Sequence, residues 1–267
     1  MVVLGIEYDG TDYVGWQKQT NGLSVQQLVE QAIAVVAAEP VSTTCAGRTD
    51  SGVHALGQVV SFTCTHERHP NAWIRGCNSN LPRAVRVVWA RFVENSFSAR
   101  FSAIRRHYRY LIYNRPAGSA VFARQLVHQP RTLDVEKMQA AANLLIGTHD
   151  FSSYRAVACQ AASPVRTILR LSITRQDHIV ELNVSADAFL HHMVRNLAGV
   201  LMAIGIGERP VEWADEVLAA RDRRRGGVTA PPHGLYLTGV DYPDWLAVDN
   251  QSLQLTMNSV WSGCDSS

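Results

Sequence analysis

Strand-like and helix-like patterns follow each other twice along this chain in one order, and that order constrains the fold more than any other feature of the sequence. Short apolar runs rich in β-branched residues are typical of strands, and amphipathic stretches are typical of helices. The first half gives the order β-α-β-β-α-β, with a strand at 2–8, a helix at 24–38, strands at 40–45 and 58–64, a helix at 71–79 and a strand at 85–94.

The second half gives the same order of patterns without obvious sequence identity to the first. It contains a strand at 105–114, a helix at 134–146, a hairpin of strands at 165–175 and 179–185, helices at 188–204 and 211–220, and a strand at 235–241. Such a duplication predicts an α+β protein of two ferredoxin-like units, related by pseudo-two-fold symmetry, with their sheets joined or facing each other across a cleft that could bind a ligand and hold the catalytic site. The predicted domains are 1–104 and 105–243, and 244–267 is predicted to be a loosely packed tail.

The composition excludes several classes of protein. Hydrophobic residues make up 46% of the chain and charged residues 18%, which is typical of a globular protein and not of a disordered or membrane chain. No apolar run reaches ~18 residues and the N-terminus lacks a signal-peptide pattern, so we expect a cytoplasmic protein that does not enter membranes. The five cysteines include no Cys-x-x-Cys pair, so we expect reduced thiols and no zinc site.

The basic residues are almost all arginine. Lysine accounts for two of the 25 basic residues, Lys18 and Lys137, and arginine for the other 23. A guanidinium group binds phosphate with two parallel hydrogen bonds and stacks on bases, which suits an RNA partner. A GC-rich genome would give the same bias, and the net charge of +2 is too small to decide between the two explanations.

The segment 45–55 is too polar for a core strand, although it lies between two predicted strands. Gly47 and Gly52 bracket Arg48, Asp50 and two hydroxyl residues. Glycine permits sharp turns and the close approach of a ligand, and loops on a rigid sheet commonly carry catalytic groups. The pattern therefore predicts a catalytic loop, with an ordinary hairpin loop and an incidental Arg48–Asp50 ion pair as the alternative.

A longer stretch around this loop resembles a known family. Residues 46–55 read Ala-Gly-Arg-Thr-Asp-Ser-Gly-Val-His-Ala, and Gln-Val-Val follows at 58–60. This run resembles the signature of the bacterial tRNA pseudouridine synthase A family. The resemblance extends in the same order from Gly-Ile-Glu-Tyr-Asp-Gly at 5–10 to Gly-Leu-Tyr-Leu at 234–237.

The resemblance implies the two-unit fold and an isomerase that converts uridine to pseudouridine at positions 38–40 of the tRNA anticodon arm, acting as a homodimer. It places the family's nucleophile at Asp50, gives Arg48 a part in flipping the target base, and matches Tyr108 to the family's active-site tyrosine. The sequence departs from the family pattern at Ser51, where alanine is frequent, and at Ser98, where histidine is common. Neither departure affects Asp50.

The implied reaction needs few catalytic groups. It breaks the N1–C1′ bond, turns the base, joins C5 to C1′ and removes the proton from C5, so no electrons are exchanged and no atom is gained. One ionised carboxylate, Asp50, and one group that carries the proton suffice, and Arg48 would keep the carboxylate charged in a dry pocket. The sequence offers no flavin motif, Gly-rich phosphate loop or metal cluster, so we expect no cofactor.

Two more residues complete the predicted site. Tyr108 can stack on uracil while its oxygen reaches a C–H acid or a water, or it can be a packed strand aromatic, as we expect for Tyr110. Arg195 lies on the otherwise apolar helix predicted at 188–204. A buried arginine is costly without an anionic partner, and Asp50 is the natural candidate.

Contacts outside the site are expected from other arginines. Arg105, Arg106 and Arg109 are expected to bind the tRNA backbone. The run Arg-Asp-Arg-Arg-Arg-Gly-Gly at 221–227 either does the same or forms an ordinary solvated helix end.

Three histidines near the predicted site residues are expected to support the site or its substrate without taking part in the chemistry. His54 is expected to fix the loop. His191 and His192 are expected to be structural or to contact phosphate, and metal binding is disfavoured because adjacent helical residues point in different directions.

Two other functions fit parts of the sequence. An RNA-binding module without chemistry could use two ferredoxin-like units, which resemble RNA-recognition domains, but the expected Lys/Arg-Gly-Phe aromatic motif is not found. A glycosidase-type hydrolase usually needs two paired acids, whereas 47–55 holds one acid and an arginine.

Overall fold

The computed structural model describes residues 1–66 and 68–243, and the chain divides into two units. The first unit contains Met1–Arg105 and, among the described residues after Tyr236, 237–243, and the second contains Arg106–Tyr236. The described residues hold five α-helices and ten strands, so the predicted α+β class is confirmed. None of the helices in the described part of the chain combines the length and the apolar character needed to cross a bilayer.

The first unit follows the predicted order of elements. Its elements are β1 (Val2–Tyr8), α1 (Val25–Ala37), β2 (Thr44–Cys45), β3 (His54–Phe62), α2 (Pro70–Asn80) and β4 (Val85–Phe92). Strand β1 lies between β3 and β4 and pairs antiparallel with both, and β2 pairs antiparallel with β3. Strand β2 is shorter than predicted and β3 begins four residues earlier, so the loop that joins them is only 46–53.

The helices of this unit begin at the expected signals. The Ser24 side chain accepts a hydrogen bond from the backbone N–H of Gln27, which caps α1 as the sequence predicts. Pro70 occupies the first turn of α2, where its missing N–H costs nothing. The buried Trp73 of α2 packs edge-on against Phe62 of β3, with ring centroids 5.2 Å apart. This contact anchors α2 on the sheet that carries the loop 46–53.

The second unit has more strands than the sequence predicts. Its elements are β5 (Arg105–Asn114), β6 (Val127–Gln129), α3 (Val135–Asn143), β7 (Gly147–Asp150), β8 (Val165–Gln176), β9 (Ile179–Ala186), α4 (Met193–Gly205) and α5 (Trp213–Ala220), and β10 (Leu235–Asp241) follows. Strands β5, β9, β8 and β7 are neighbours in that order and pair antiparallel, and β6 pairs parallel with β5. The order of elements is therefore not a simple repeat of the first unit.

Helix α4 begins at Met193, five residues later than predicted. The Asp187 side chain accepts hydrogen bonds from the backbone N–H groups of Thr167 and Ala188, which holds the chain in a turn after β9. His192 then takes a left-handed conformation, with φ of 62°, directly before the helix. Arg195 is consequently in the first turn of α4, and the two histidines precede the helix.

The last described strand completes the first unit. Gly57 in β3 has no side chain, and a Cβ there would lie 2.6 Å from the carbonyl oxygen of Thr238, so β10 can approach β3 closely. Asp241 accepts a hydrogen bond from the Ile104 N–H at 2.9 Å, and the Tyr242 hydroxyl donates to the Ala99 carbonyl at 2.7 Å. The sequence-based division placed 237–243 in the second domain. The tail predicted at 244–267 lies outside the described residues.

Candidate active site

The loop 46–53 presents one acidic and one basic side chain. Asp50 is half-buried, Arg48 is exposed, and Thr49 between them is buried. The loop leaves β2 and enters β3 within eight residues, so both ends are fixed by the sheet of the first unit.

Gln58 holds the start of the loop. This side chain is fully buried in β3, its Nε2 donates to the Gly47 carbonyl at 2.6 Å, and its Oε1 accepts from the Gly47 N–H at 3.4 Å. The Ala46 N–H also donates to the Val59 carbonyl at 2.8 Å. A polar side chain buried in a strand is costly unless it is hydrogen-bonded, and here both ends of the amide bond the loop backbone.

Thr49 ties the loop to β1. Its hydroxyl and the hydroxyl of Tyr8 are 2.7 Å apart, and both side chains are buried. Burial raises the pKa of Tyr8 above its usual value, so the phenol keeps its proton and stays able to donate a hydrogen bond. The Thr49 carbonyl accepts from the Trp16 N–H at 3.0 Å. The residue directly before Asp50 is thus held from two sides.

The backbone of Asp50 lies in a tight turn packed against the segment after β1. The Val53 N–H donates to the Asp50 carbonyl at 3.1 Å, and Gly52, with φ of 75°, donates to the Tyr13 carbonyl at 3.3 Å. Gly15 has φ of 101°, and a Cβ there would lie 2.7 Å from the Thr49 carbonyl oxygen. Only glycine suits both the conformation and the space at position 15.

His54 joins the end of the loop to the turn after β1. Its Nδ1 is 3.1 Å from the Gly10 N–H nitrogen and also 3.1 Å from Oδ1 of Asp9. One ring nitrogen cannot accept from Gly10 and donate to Asp9 at once, so the contact made depends on the proton at Nδ1. Hydrogen bonds from His54 and Thr11 hold the pKa of Asp9 well below its usual range. The structural role predicted for His54 fits these contacts.

The second unit carries the two tyrosines of β5 on one face. Tyr108 is 8% exposed, and its ring meets Phe189 edge-on at a centroid distance of 5.0 Å. Tyr110 is 0% exposed and its hydroxyl donates to the Pro231 carbonyl at 2.9 Å. Burial raises the pKa of Tyr110, and the Arg195 charge lowers it only in part. The core role predicted for Tyr110 is confirmed.

Arg195 is half-buried and bonded to the chain that precedes β10. Its Nε donates to the Ala230 carbonyl at 2.8 Å, and the Ala230 N–H donates back to the Arg195 carbonyl at 3.1 Å. The carbonyls of the consecutive residues Ala230 and Pro231 therefore fix Arg195 and Tyr110 within one small region of the second unit. The ion pair expected between Arg195 and Asp50 stays a prediction.

The two histidines before α4 lie side by side, in contrast to the divergent directions expected within a helix. Their ring centroids are 4.1 Å apart, because His192 is left-handed and neither residue is helical. The His191 carbonyl accepts from the Ala156 N–H at 2.8 Å, and the His192 carbonyl accepts from the Asn196 N–H at 2.9 Å.

The arginines predicted to bind tRNA each have a partner in their own unit. Arg105 is half-exposed, with its Nη1 3.7 Å from Oδ2 of Asp241, and Arg106 donates to the Asp187 carbonyl at 2.8 Å. Arg109 is mostly buried and pairs with Glu181 at 2.9 Å. Of these three arginines, Arg105 is the most exposed and makes the longest of these contacts.

Comparison with known proteins decides the family. A family model described as tRNA pseudouridine synthase matches residues 5–102 and 141–243. The chain is 55% identical over 243 residues to tRNA pseudouridine synthase A of Pseudomonas aeruginosa, covering 91% of this chain and 85% of that protein. It belongs to the tRNA pseudouridine synthase A family. The protein of the same name from Nitrosococcus oceani is 52% identical over 256 residues, or 96% of this chain and 99% of that protein.

Membership in the tRNA pseudouridine synthase A family makes the protein an isomerase. The matched ranges of the family model contain Arg48, Asp50 and Arg195, whereas Tyr108 lies between them. Among solved structures, a crystal structure of a Cbf5-Nop10-Gar1 complex gives a TM-score of 0.37 at 10% identity, covering 76% of this chain and 45% of that one. That likeness is too weak to carry an argument.

Sequence reasoning missed the residues that support this tRNA pseudouridine synthase loop. The motif at 58–60 includes Gln58 but assigns no role to it. A glutamine within an apolar run that is predicted to be buried nevertheless indicates a structural hydrogen bond. Tyr8 and Gly15 carry no comparable signal, because their partner Thr49 becomes a neighbour only through the pairing of β1 with β3.

Proposed function

We propose that this enzyme converts uridine to pseudouridine at positions 38–40 of the tRNA anticodon arm, with Asp50 as nucleophile and without a cofactor. The observation that carries the proposal is the rigid mounting of Asp50. Gln58 and Thr49 fix the backbone on its N-terminal side, and Gly52 fixes it on the other. A nucleophile held in this way needs no reorganisation when the substrate binds.

Each step of the reaction then has a candidate group. The Asp50 carboxylate attacks the electrophilic centre at C1′ or C6, which lets the N1–C1′ bond break without the loss of any atom. The base turns, C5 joins C1′, the bond to Asp50 breaks so that the carboxylate is regenerated, and the proton leaves C5 to a general base. Tyr108 is proposed to stack on the uracil and to carry that proton, and Arg195 is proposed to supply a cation for the negative charge that develops.

The exposed Arg48 is proposed to enter the space that the target base leaves in the helix. Extruding a stem uridine costs a few kcal/mol, and a guanidinium that replaces its stacking offsets part of this cost. The tRNA substrate is consistent with a cytoplasmic location. We further propose a homodimer, which light scattering coupled to gel filtration tests; a monomer at working concentration contradicts it.

The proposed function is tested by tritium release from a tRNA transcript labelled at uridine C5, with no added metal or cofactor. The wild-type enzyme should release tritium and Asp50→Asn should not, while Ser51→Ala, a matched change at the next residue, should retain activity. Tyr108→Phe should keep tRNA affinity and slow turnover by about tenfold or more if it carries the proton. Sequencing of the product for pseudouridine locates the modified positions.

Other outcomes discriminate the alternatives. Binding of tRNA by both the wild type and Asp50→Asn, with release by neither, favours an RNA-binding module. Release by Asp50→Asn at the wild-type rate rules out the carboxylate as nucleophile.

A further inference from the structure

One arginine of the run 221–227, the partly buried Arg223, bonds to helix α4 and to the segment that lies on it. Nη2 of Arg223 donates to Oδ1 of Asn196 at 3.0 Å and to Oγ1 of Thr229 at 2.9 Å. The Thr229 hydroxyl donates to the same Asn196 oxygen at 2.7 Å. Asn196 is 2% exposed, and its Nδ2 donates to the Tyr154 carbonyl at 2.7 Å.

The cluster adjoins Arg195 in sequence and in space. Asn196 is the next residue of α4, and Thr229 precedes Ala230, whose backbone exchanges two hydrogen bonds with Arg195. Gly199, one turn further along α4, leaves room for the chain, since a Cβ there would lie 1.9 Å from the Val228 carbonyl oxygen. The segment 228–230 therefore lies directly on α4, and Arg223 and Asn196 hold it there.

The neighbouring arginine of the run has a different environment. The Arg224 side chain is 88% exposed, and its guanidinium bonds Asp222 two residues away at 2.7–3.0 Å. Arg224 therefore forms a surface ion pair shortly after α5, which fits the interpretation of the run as an ordinary solvated helix end. The run is thus divided between Arg223, which bonds buried groups, and Arg224, which does not.

We propose that Arg223, together with Asn196 and Thr229, is a positioning residue for Arg195 in the isomerase reaction. This inference rests on the proposed function. Because Arg195 Nε donates to the Ala230 carbonyl, the position of that carbonyl sets the orientation of the Arg195 guanidinium. The carbonyl belongs to the segment 228–230, which Arg223 holds on α4 through Thr229. Loss of Arg223 lets the segment shift, so the Arg195 cation moves away from the reacting atoms while tRNA still binds.

The test compares Arg223→Ala with Arg224→Ala, which remove the same charge from adjacent positions. Single-turnover tritium release gives the rate of the chemical step and filter binding gives the Kd for tRNA. Arg223→Ala should lower the rate by about 10- to 100-fold, the loss typical of a misplaced catalytic group, with Kd changed by less than about twofold. Arg224→Ala should keep the rate of the chemical step.

A double-mutant cycle with Arg195→Lys separates positioning from a general structural effect. If Arg223 acts through Arg195, Arg223→Ala should lower the rate by less than about twofold further in the Arg195→Lys background. Where Arg223→Ala does not fold, as judged by circular dichroism, Thr229→Val takes its place because it removes one hydroxyl and preserves the shape. Arg223→Lys keeps the charge without the planar fork and should resemble Arg223→Ala in rate.

Three results would overturn the inference while the wild type is active. These are equal rates for Arg223→Ala, Arg224→Ala and wild type, a change confined to Kd, or rate losses that multiply fully in the Arg195→Lys background. An inactive wild type refutes the proposed function instead, so the two failures are distinguishable.

Discussion

The Tyr8–Thr49 hydroxyl pair is one of the contacts that hold the loop of the proposed nucleophile. Tyr8 and Thr49 bond each other where β1 ends and the loop 46–53 turns, and both residues are buried. Since burial raises the pKa of Tyr8, its phenol stays neutral across the physiological range. We therefore expect position 49 to affect both stability and the rate of the reaction, although only its neighbour Asp50 is proposed to react.

Replacing Thr49 by valine should leave the Tyr8 hydroxyl buried with one partner fewer. We expect a loss of about 1–3 kcal/mol in the free energy of unfolding, the usual cost of such a group, and a slower chemical step. Tyr8→Phe combined with Thr49→Val removes both partners and should recover part of that stability. Urea unfolding measures the first effect and tritium release the second. A Thr49→Val protein as stable as wild type would show that the pair contributes nothing.

The sequence predicts which residue in the loop reacts, but not what holds it. Asp50 is recognisable because the motif around it is local, and its setting between two glycines can be read directly. The Tyr8–Thr49 bond joins residues 41 positions apart, and it forms only in the register that places Tyr8 opposite Ala55. A register of this kind depends on the packing of the whole sheet, which no local pattern specifies.

At the scale of elements, α1 fixes the strand that leads into the loop. Glu30 is buried, and its Oε1 accepts hydrogen bonds from the N–H and the hydroxyl of Thr43 at 2.8 and 2.9 Å. It also accepts from Gln26 at 3.0 Å and pairs with Lys18. Burial raises the pKa of Glu30, but the hydrogen bonds from Lys18, Thr43 and Gln26 outweigh it, so the pKa lies below its usual value.

This carboxylate should make stability depend on pH. Because the folded pKa of Glu30 is lowered, its contribution is present above the unfolded value of about 4.3 and is lost as the pH falls through the folded pKa. Glu30→Gln should lower the free energy of unfolding by about 1–2 kcal/mol at pH 7 and by progressively less below pH ~4. Denaturant unfolding at several pH values measures this difference.

The exposed Glu39 offers a matched control for that measurement. Its carboxylate accepts from Thr65 at the surface, where hydrogen bonds compete with water, so Glu39→Gln should change stability less at every pH. Equal effects of the two substitutions would mean that the burial of Glu30 is unimportant.

The sequence predicts the start of α4 less well because the apolar pattern extends beyond the helix itself. The apolar residues Phe189 and Leu190 extend the period of α4 backwards, so the pattern alone starts the helix at 188. The turn held by the Asp187 hydrogen bonds and the left-handed backbone of His192 delay the start of the helix to Met193. Strands β6 and β7 were missed because three or four residues are too few to show a strand period.

At the scale of the whole molecule, the exposed arginines should control how strongly tRNA binding depends on salt. Arg105 is a predicted backbone contact, and its partner Asp241 lies 3.7 Å away at the surface. Arg105→Ala should raise the Kd for tRNA and reduce the slope of log K against log salt by about 1. Filter binding over a range of salt concentrations gives both values.

Arg209 is the control for this substitution, since it is exposed but stacks on Trp213 with its Cζ 5.1 Å from the ring centroid. Arg209→Ala removes the same charge and should leave the slope as it is. Two slopes that fall together would assign the effect to net charge rather than to a contact at Arg105.

The order of the elements along the chain does not reveal that most of β10 belongs to the first unit. The sequence-based boundary assigns 237–243 to the second domain, whereas Gly57 in β3 leaves space for the backbone of β10. A glycine in a strand signals the close approach of some backbone, but not which one.

The chain leaves the first unit after Arg105 and comes back to it only at Leu237, and this order has a consequence for synthesis on the ribosome. The loop 46–53 emerges early, yet the sheet that supports it lacks β10 until the whole of Arg106–Tyr236 has been translated. At bacterial elongation rates this interval is on the order of ten seconds. The nascent first unit should therefore wait with one sheet edge open until β10 has been made.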